Sequence, residues 1–131
     1  MTFVDTSALI ALLDGGESKH AACARAWRKL LADDESLVTS SYVLVETCAL
    51  AQRRLGTDAV RTLTTDYVPL LAVDWVDETV HGAAMASLLT ANRRELSLVD
   101  CVSFEIMRRR DIPKAFTLDA DFAKQGFSVA P

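Results

Sequence analysis

The sequence lacks the short motifs that most often identify a binding or catalytic site. No glycine-rich dinucleotide loop, Walker motif or Gly-x-Ser-x-Gly nucleophile motif occurs in its 131 residues. The two histidines, His20 and His81, have no cysteine or histidine partner at the spacing of a zinc site. These absences argue against a nucleotide-binding loop, a serine hydrolase and a structural zinc centre.

Cysteine is scarce, and the three cysteines form no Cys-x-x-Cys pair. Cys23, Cys48 and Cys101 each lie in an apolar pattern with helical spacing, so we expect buried thiols in a reducing compartment. No segment approaches the ~20 consecutive apolar residues of a membrane span, and no signal peptide is evident. The sequence therefore predicts a cytoplasmic protein without a membrane segment.

Linkers rich in proline, glycine or serine are also missing, as are internal repeats and low-complexity segments. Half of the residues are apolar, so we expect a single globular domain that spans residues 1–131. The formal net charge of -4 neither favours nor excludes a nucleic-acid partner, because local patches matter more than the sum. Arginine clusters at 53–54, 93–94 and 108–110 either complement helix C termini or contact a phosphate backbone.

Short apolar runs alternate with longer segments of helical periodicity along the whole chain. The runs predict strands at residues 3–4, 37–39, 70–73, 115–118 and 127–129. The periodic segments predict helices at 8–13, from a cap at Ser18 to about 31, and at 41–54, 57–67, 77–91, 98–110 and 120–124. This alternation is typical of an α/β fold with a parallel sheet covered on both faces. Ligands of such sheets bind beyond the carboxyl ends of the strands.

Four acidic residues stand in apolar surroundings where an unpaired carboxylate is costly: Asp5, Glu46, Asp100 and Asp119. Asp5 and Asp119 each follow a predicted strand, so both are expected at the ligand-binding edge of the sheet. Carboxylates that converge on a hard divalent cation can stay charged, because the cation replaces the lost hydration. The pattern therefore predicts a metal site with oxygen ligands.

Three of these acids also have a structural explanation. Asp5 and Asp119 could simply cap helices, and Asp100 stands three residues after Ser97, which is the spacing of a capping box. Glu46 is different, because it lies in the middle of a helix that we predict to be apolar and buried all round. An ion pair with Arg53 is the alternative, but we interpret Glu46 as functional.

Small polar residues accompany the acids in the sequence: Thr6, Ser7, Ser103, Thr117 and Asp121. The four hydroxyls are candidates to hydrogen-bond the carboxylates and hold them in place. The alternative is that they serve only as helix caps and surface hydroxyls. Asp121 is either a solvated turn residue or a substitute for Asp119.

The segments around the four acids together resemble a PIN-domain ribonuclease, specifically a VapC-type toxin of a bacterial toxin–antitoxin pair. The matching stretches are residues 3–9, 45–46, 96–104 and 116–122. The resemblance implies a three-layer α/β/α domain with sheet order 3-2-1-4-5, which would leave Asp74 at the sheet edge. It implies that Asp5, Glu46, Asp100 and Asp119 bind Mg²⁺ or Mn²⁺.

The same resemblance implies an endoribonuclease that hydrolyses RNA phosphodiesters with a metal-activated water, a cognate antitoxin protein as partner, and a homodimer when the antitoxin is absent. The apolar segment at residues 8–13 and parts of the next helices offer more apolar surface than one small sheet needs, which also favours a dimer. Three alternatives remain open from the residues. They are a haloacid-dehalogenase-like phosphatase with Asp5 as nucleophile, a receiver-like domain, and a non-catalytic module in which the acids are caps.

Overall fold

The computed structural model describes all 131 residues and contains a central sheet of five parallel strands. The order across the sheet is β3-β2-β1-β4-β5, which confirms the predicted topology. The strands are β1 (Thr2–Val4), β2 (Leu37–Ser40), β3 (Ala72–Asp74), β4 (Lys114–Phe116) and β5 (Ser128–Ala130). β1 and β4 lie side by side, so the chain segments that leave their carboxyl ends are neighbours.

Helices connect the strands and cover the sheet. They are α1 (Thr6–Leu13), α2 (His20–Ala32), α3 (Ser41–Leu55), α4 (Thr57–Thr62), α5 (Glu78–Ala91), α6 (Leu98–Arg109) and α7 (Ala120–Lys124). Every residue of β1 and β2 is buried. Successive side chains of a strand point to opposite faces, so both faces of the sheet are covered and the fold has three layers.

The core lies around the three central strands. Phe3, Val4 and Phe116 are fully buried, and the ring of Phe116 stacks on Trp27 with centroids 5.9 Å apart. The edge strands β3 and β5 are partly exposed. Because the central strands are held on both faces, the loops that follow β1 and β4 start from rigid positions.

Two helix predictions were inaccurate. The second helix begins at His20 after Lys19, which provides no side-chain cap, whereas the Ser18 hydroxyl donates to Glu17 instead. The fourth predicted helix is regular only for α4 and continues as a π-helical turn, Leu63–Tyr67, and a 3-10 turn, Val68–Leu70. Pro69 lies inside that last turn, which delays the third strand to Ala72.

The strands β4 and β5 are shifted from their predicted positions, each in the opposite direction. β4 spans Lys114–Phe116 rather than 115–118, so Thr117 leaves the strand and joins the loop that precedes α7. β5 spans Ser128–Ala130 rather than 127–129. The early end of β4 matters for the site, because Thr117 now directly follows the strand and its hydroxyl donates to Asp5, the residue that follows β1.

The apolar surface of α1 is used inside the domain, which corrects our reason for expecting a dimer. Residues 8–12 are all buried. The large apolar side chains that remain exposed include Val45 on α3 and Trp75 after β3, which are 69% and 74% exposed. Cys23 and Cys101 are buried as predicted, but Cys48 is only half-buried. None of the helices has the length and apolar character that crossing a membrane requires.

Candidate active site

The four acids line one open cavity of about 390 Å³. Asp5 and Asp119 reach it from the loops after β1 and β4, Glu46 from α3, and Asp100 from the first turn of α6. The cavity thus lies beyond the carboxyl ends of the two central strands, where parallel sheets usually bind ligands. The fold brings together residues that are up to 114 positions apart in the sequence.

Asp5 is the most buried of the four acids, with 3% of its surface exposed. It caps α1, and its Oδ2 accepts hydrogen bonds from the Ser7 hydroxyl at 2.8 Å and the Ser7 amide at 3.4 Å. The Thr117 hydroxyl donates a third bond to the same oxygen at 2.8 Å. Burial raises the pKa of Asp5 above its ordinary value, although these hydrogen bonds oppose the shift.

The two hydroxyls that hold Asp5 are themselves fixed by the loop after β4. The Leu118 amide donates to Ser7 Oγ and the Asp119 amide donates to Thr117 Oγ1, both at 2.9 Å. Each hydroxyl therefore accepts from a backbone amide and points its proton at the Asp5 carboxylate. This network joins the carboxyl end of β1 to that of β4 and sets the orientation of Asp5.

Asp100 forms the capping box that its spacing predicts. Its amide donates to Ser97 Oγ at 3.0 Å, and the Ser97 amide donates to Asp100 Oδ2 at 3.2 Å. The pKa of Asp100 is raised to about 6, first by burial and then by the negative charges of Asp5 and Asp119. The other acids of the cavity are thus close enough to disfavour its ionised form.

Cap and cavity are not competing roles for these aspartates, because each carboxylate uses only one oxygen for its cap. Asp5 and Asp100 accept hydrogen bonds at Oδ2, and Asp119 accepts one from the Asp121 amide at Oδ1. None of these hydrogen bonds ends on the second oxygen of any of the three. One oxygen of each aspartate is therefore available to a ligand in the cavity.

Glu46 reaches the cavity, but our reason for singling it out was wrong. The helix α3 is not buried all round, since it buries Val43, Thr47 and Ala51 on one face and leaves Val45 exposed. These three residues repeat every four positions and so share one face, and α3 contacts α1 and α6. Glu46 itself is half-buried and forms no ion pair with Arg53 or any other residue.

Among the accompanying polar residues, Thr6, Ser7 and Thr117 lie at the site, whereas the side chains of Ser103 and Asp121 do not hold any of the four acids. The Ser103 hydroxyl turns back along α6 and donates to the Val99 carbonyl at 2.9 Å. Asp121 instead pairs with Arg93 at 3.4 Å and lies outside the cavity lining. We therefore correct our expectation for the Ser103 hydroxyl, which bonds its own helix, and for the Asp121 carboxylate, since Asp121 contacts Asp119 only through its backbone amide.

Asp74 lies at the edge strand β3, as expected, where it pairs with Arg110 at 3.7 Å. Two charged residues in the cavity lining were not expected there, namely Glu17 and Arg54. Glu17 lies in the connection between α1 and α2, which has no periodicity that would place it. Arg54 stands eight residues after Glu46 on α3, and this helical spacing could have placed both on one face.

The cavity lining suits a hard divalent cation in its chemistry. The free donors are carboxylate oxygens, with no cysteine or histidine among the lining residues, and such a set favours Mg²⁺ or Mn²⁺. Thr6 also lines the cavity, and its buried Oγ1 has no hydrogen-bond partner. In this conformation no three acids come close enough together to ligate one ion. Binding would therefore need rotation of carboxylates or bridging waters, and the partly exposed Glu46 and Asp119 have room to rotate.

Comparisons with known proteins agree on one family. A family model described as "PIN domain" matches residues 2–128. The "23S rRNA-specific endonuclease VapC20" of two Mycobacterium tuberculosis strains is 34% identical over 128 residues, which cover 97% of this chain and 95% of that protein. The crystal structure of M. tuberculosis VapC20, described as a sarcin–ricin loop cleaving toxin, matches with a TM-score of 0.86 over the whole of both chains.

A more distant structure, FitAcB from Neisseria gonorrhoeae, matches with a TM-score of 0.72 at 16% identity. It covers all of this chain and 97% of that one. At this identity the match demonstrates a shared fold.

Proposed function

The chain belongs to the PIN-domain family, and we propose that it is an Mg²⁺- or Mn²⁺-dependent endoribonuclease that acts as the toxin of a toxin–antitoxin pair. The observation that supports this function best is the cavity lined by Glu46 and by three aspartates whose cap hydrogen bonds each end on a single oxygen. Family membership removes the phosphatase and receiver-like alternatives. A non-catalytic role for the acids is the outcome that an activity assay tests.

Asp5, Glu46 and Asp100 would hold the cation, and Asp119 would complete the site. The cation would supply Lewis-acid chemistry, which activates water and neutralises charge on the phosphate oxygens. Ser7 and Thr117 keep Asp5 in one orientation, and their protons favour its ionised form in a buried place. Since water rather than the ribose 2′-hydroxyl attacks, the products should carry a 5′-phosphate and a 3′-hydroxyl.

For the substrate we propose ribosomal RNA. The support is the similarity to VapC20, which is described as 23S rRNA-specific and extends over almost the whole of both proteins. The sarcin–ricin loop is therefore the first candidate site, because that is the loop VapC20 is described as cleaving. With a ribosomal substrate, we infer a cytoplasmic location.

The test is to incubate the purified chain with ribosomes and Mg²⁺ and to map new RNA ends across the ribosomal RNAs. We expect one dominant cleavage in 23S RNA with wild type and none with Asp5→Asn. Cleavage of other RNAs but not of ribosomal RNA would reject ribosomal RNA as the substrate, while the proposed nuclease activity would stand. If the chain cleaves no RNA at all, the nuclease proposal fails and the non-catalytic role of the acids is favoured.

A cognate antitoxin is the second partner that we propose. The acid-rich cavity is open to solvent and would attract an arginine or lysine of an inserted segment, since opposite charges favour such a complex. The arginine or lysine side chain of the antitoxin would also compete directly with the metal ion for the same carboxylates.

We also propose a homodimer in the absence of the antitoxin. A surface that we call the α3 patch offers the apolar area: it consists of Leu44, Val45, Cys48, Ala49 and Trp75. Val45 and Trp75 are mostly exposed, and contiguous apolar surface of this kind marks interaction sites. A second copy that presents the same patch would cover it in a two-fold symmetric contact.

A further inference from the structure

The charge of the cavity poses a problem for a nuclease. Five carboxylates line it, namely Asp5, Glu17, Glu46, Asp100 and Asp119, and they face a single guanidinium, that of Arg54. One bound divalent cation would leave this lining negative. A negative surface repels an RNA strand, so the phosphates on either side of the cleaved one need a positive contact.

Arg54 is the one basic residue placed to provide that contact within the cavity. Glu46, Leu50 and Arg54 follow one another at intervals of four residues on α3 and all line the cavity. At 1.5 Å per residue, Arg54 lies roughly 12 Å along the helix axis from Glu46. The Glu46 and Arg54 side chains line the same cavity, so an RNA strand held at the acids can also present a flanking phosphate to Arg54.

Arg54 is also free to bind. It makes no ion pair and no side-chain hydrogen bond, although five carboxylates line the same cavity. By contrast, Arg93 and Arg109 each have an acidic partner. No internal ion pair has to break before Arg54 contacts a ligand.

The simpler explanation is that Arg54 complements the dipole at the C terminus of α3. Arg53 and Arg54 both stand in the last turn of that helix, so both satisfy the dipole. Only Arg54 lines the cavity, whereas Arg53 is also exposed but lies outside it. The dipole does not account for this difference. Arg53 is therefore the matched control that separates an effect on the helix dipole from a contact in the cavity.

We propose that Arg54 binds a backbone phosphate next to the scissile one and so fixes the register of the RNA strand across the acids. The inference rests on the proposed nuclease function. A guanidinium suits this task, because its planar fork can donate two parallel hydrogen bonds to a phosphate. Arg54 would thus bind substrate and take no part in activating water.

The kinetic test uses a hairpin oligoribonucleotide that carries the sarcin–ricin loop, cleaved by wild type, Arg54→Ala, Arg54→Lys and Arg53→Ala. We expect Arg54→Ala to raise KM roughly 10-fold with little change in kcat, because it removes a contact made equally in ground and transition states. Arg54→Lys should recover part of the loss, and Arg53→Ala should match wild type. The slope of log binding constant against log salt concentration should fall by about one phosphate contact in Arg54→Ala and stay unchanged in Arg53→Ala.

A second measurement locates the contact. Single phosphates of the hairpin are replaced by neutral methylphosphonates, and binding is measured to Asp5→Asn with and without Arg54→Ala. One position beside the scissile phosphate should weaken binding roughly 10-fold when Arg54 is present and have no effect when it is absent.

The outcomes separate the two proposals. If wild type cleaves the hairpin but Arg54→Ala and Arg53→Ala behave alike, the role of Arg54 is rejected and the nuclease stands. Equal losses at every methylphosphonate position in both proteins reject it too. If wild type cleaves no RNA, the proposed function fails and the inference about Arg54 fails with it.

Discussion

The Thr117 hydroxyl donates a 2.8 Å hydrogen bond to Oδ2 of Asp5, across 112 positions of sequence. The two residues meet because β1 and β4 are neighbours in the sheet and each residue directly follows its strand. Since this bond and those from Ser7 all end on one oxygen, the other carboxylate oxygen is free for the cavity. A contact that looks like loop structure therefore sets the geometry of the candidate metal site.

Thr117→Val should lower activity about 10- to 100-fold, as is usual when a residue that orients a metal ligand is lost. It should also cost roughly 1–3 kcal/mol of stability, because the Asp119 amide loses its acceptor. Thr117→Ser keeps the hydroxyl and is the control. Single-turnover cleavage and thermal unfolding measure the two effects, and a Val variant as active as the Ser variant would contradict the orienting role.

The metal-free protein should be more stable at pH 5 than at pH 7.5. The folded pKa of Asp100 is about 6 and its ordinary value is 3.8, so between these values the folded state holds a proton that the unfolded state has released. Stability therefore falls as pH rises through this window and is level above it. The raised pKa of Asp5 acts in the same direction.

Asp100→Asn should remove much of that pH dependence and raise stability at pH 7.5 by about 1–2 kcal/mol, a figure reduced for the partial exposure of Asp100. The measurement is denaturant unfolding in EDTA at several pH values. Asp77→Asn is the control, because Asp77 also caps a helix but lies outside the cavity. An Asp100→Asn protein that is destabilised to the same degree as the control would show that the repulsion is unimportant.

The strand and helix alternation made the fold class predictable, since each strand is a short apolar run between helical segments. The acids were predictable because a carboxylate in or directly after an apolar run is unusual. Glu46 was selected on the mistaken idea that α3 is buried all round, when only one face of that helix is.

What the sequence could not provide is the direction of side chains and the path of loops. Ser103 and Asp121 have the right spacing, but one bonds its own helix and the other pairs with Arg93. Glu17 reaches the cavity through a connection without periodicity. The two roles of each aspartate were treated as alternatives, because only coordinates show that the cap uses one oxygen.

If the α3 patch forms the dimer interface, Val45→Lys should yield a monomer, because two lysines would be buried opposite each other. Leu89→Lys is the control, since Leu89 on α5 is 71% exposed but is not part of the patch. Light scattering over a range of concentrations gives the mass of each protein. A wild type that is monomeric at high concentration would reject the dimer, and a dimeric Val45→Lys protein would reject the patch.

An antitoxin that inserts an arginine or lysine into the cavity should bind less tightly when one of the acids is replaced by its neutral amide. We expect Glu46→Gln to weaken the complex by about 10-fold or more, because the buried cation loses a partner. The measurement is titration of the toxin with the product of a neighbouring gene that co-purifies with it, and the control is Glu78→Gln on the surface of α5. Equal affinities for both variants would place the inhibitory contact elsewhere.

The most direct test of the central claim is RNA cleavage by wild type, Asp5→Asn and Glu46→Gln, each with Mg²⁺ and with EDTA. We expect wild type to cleave in Mg²⁺ but not in EDTA and to leave 5′-phosphate and 3′-hydroxyl ends, and we expect both variants, while folded, to cleave at least roughly 100-fold more slowly. Equal cleavage in EDTA, 2′,3′-cyclic phosphate ends, or full activity of both variants would contradict it.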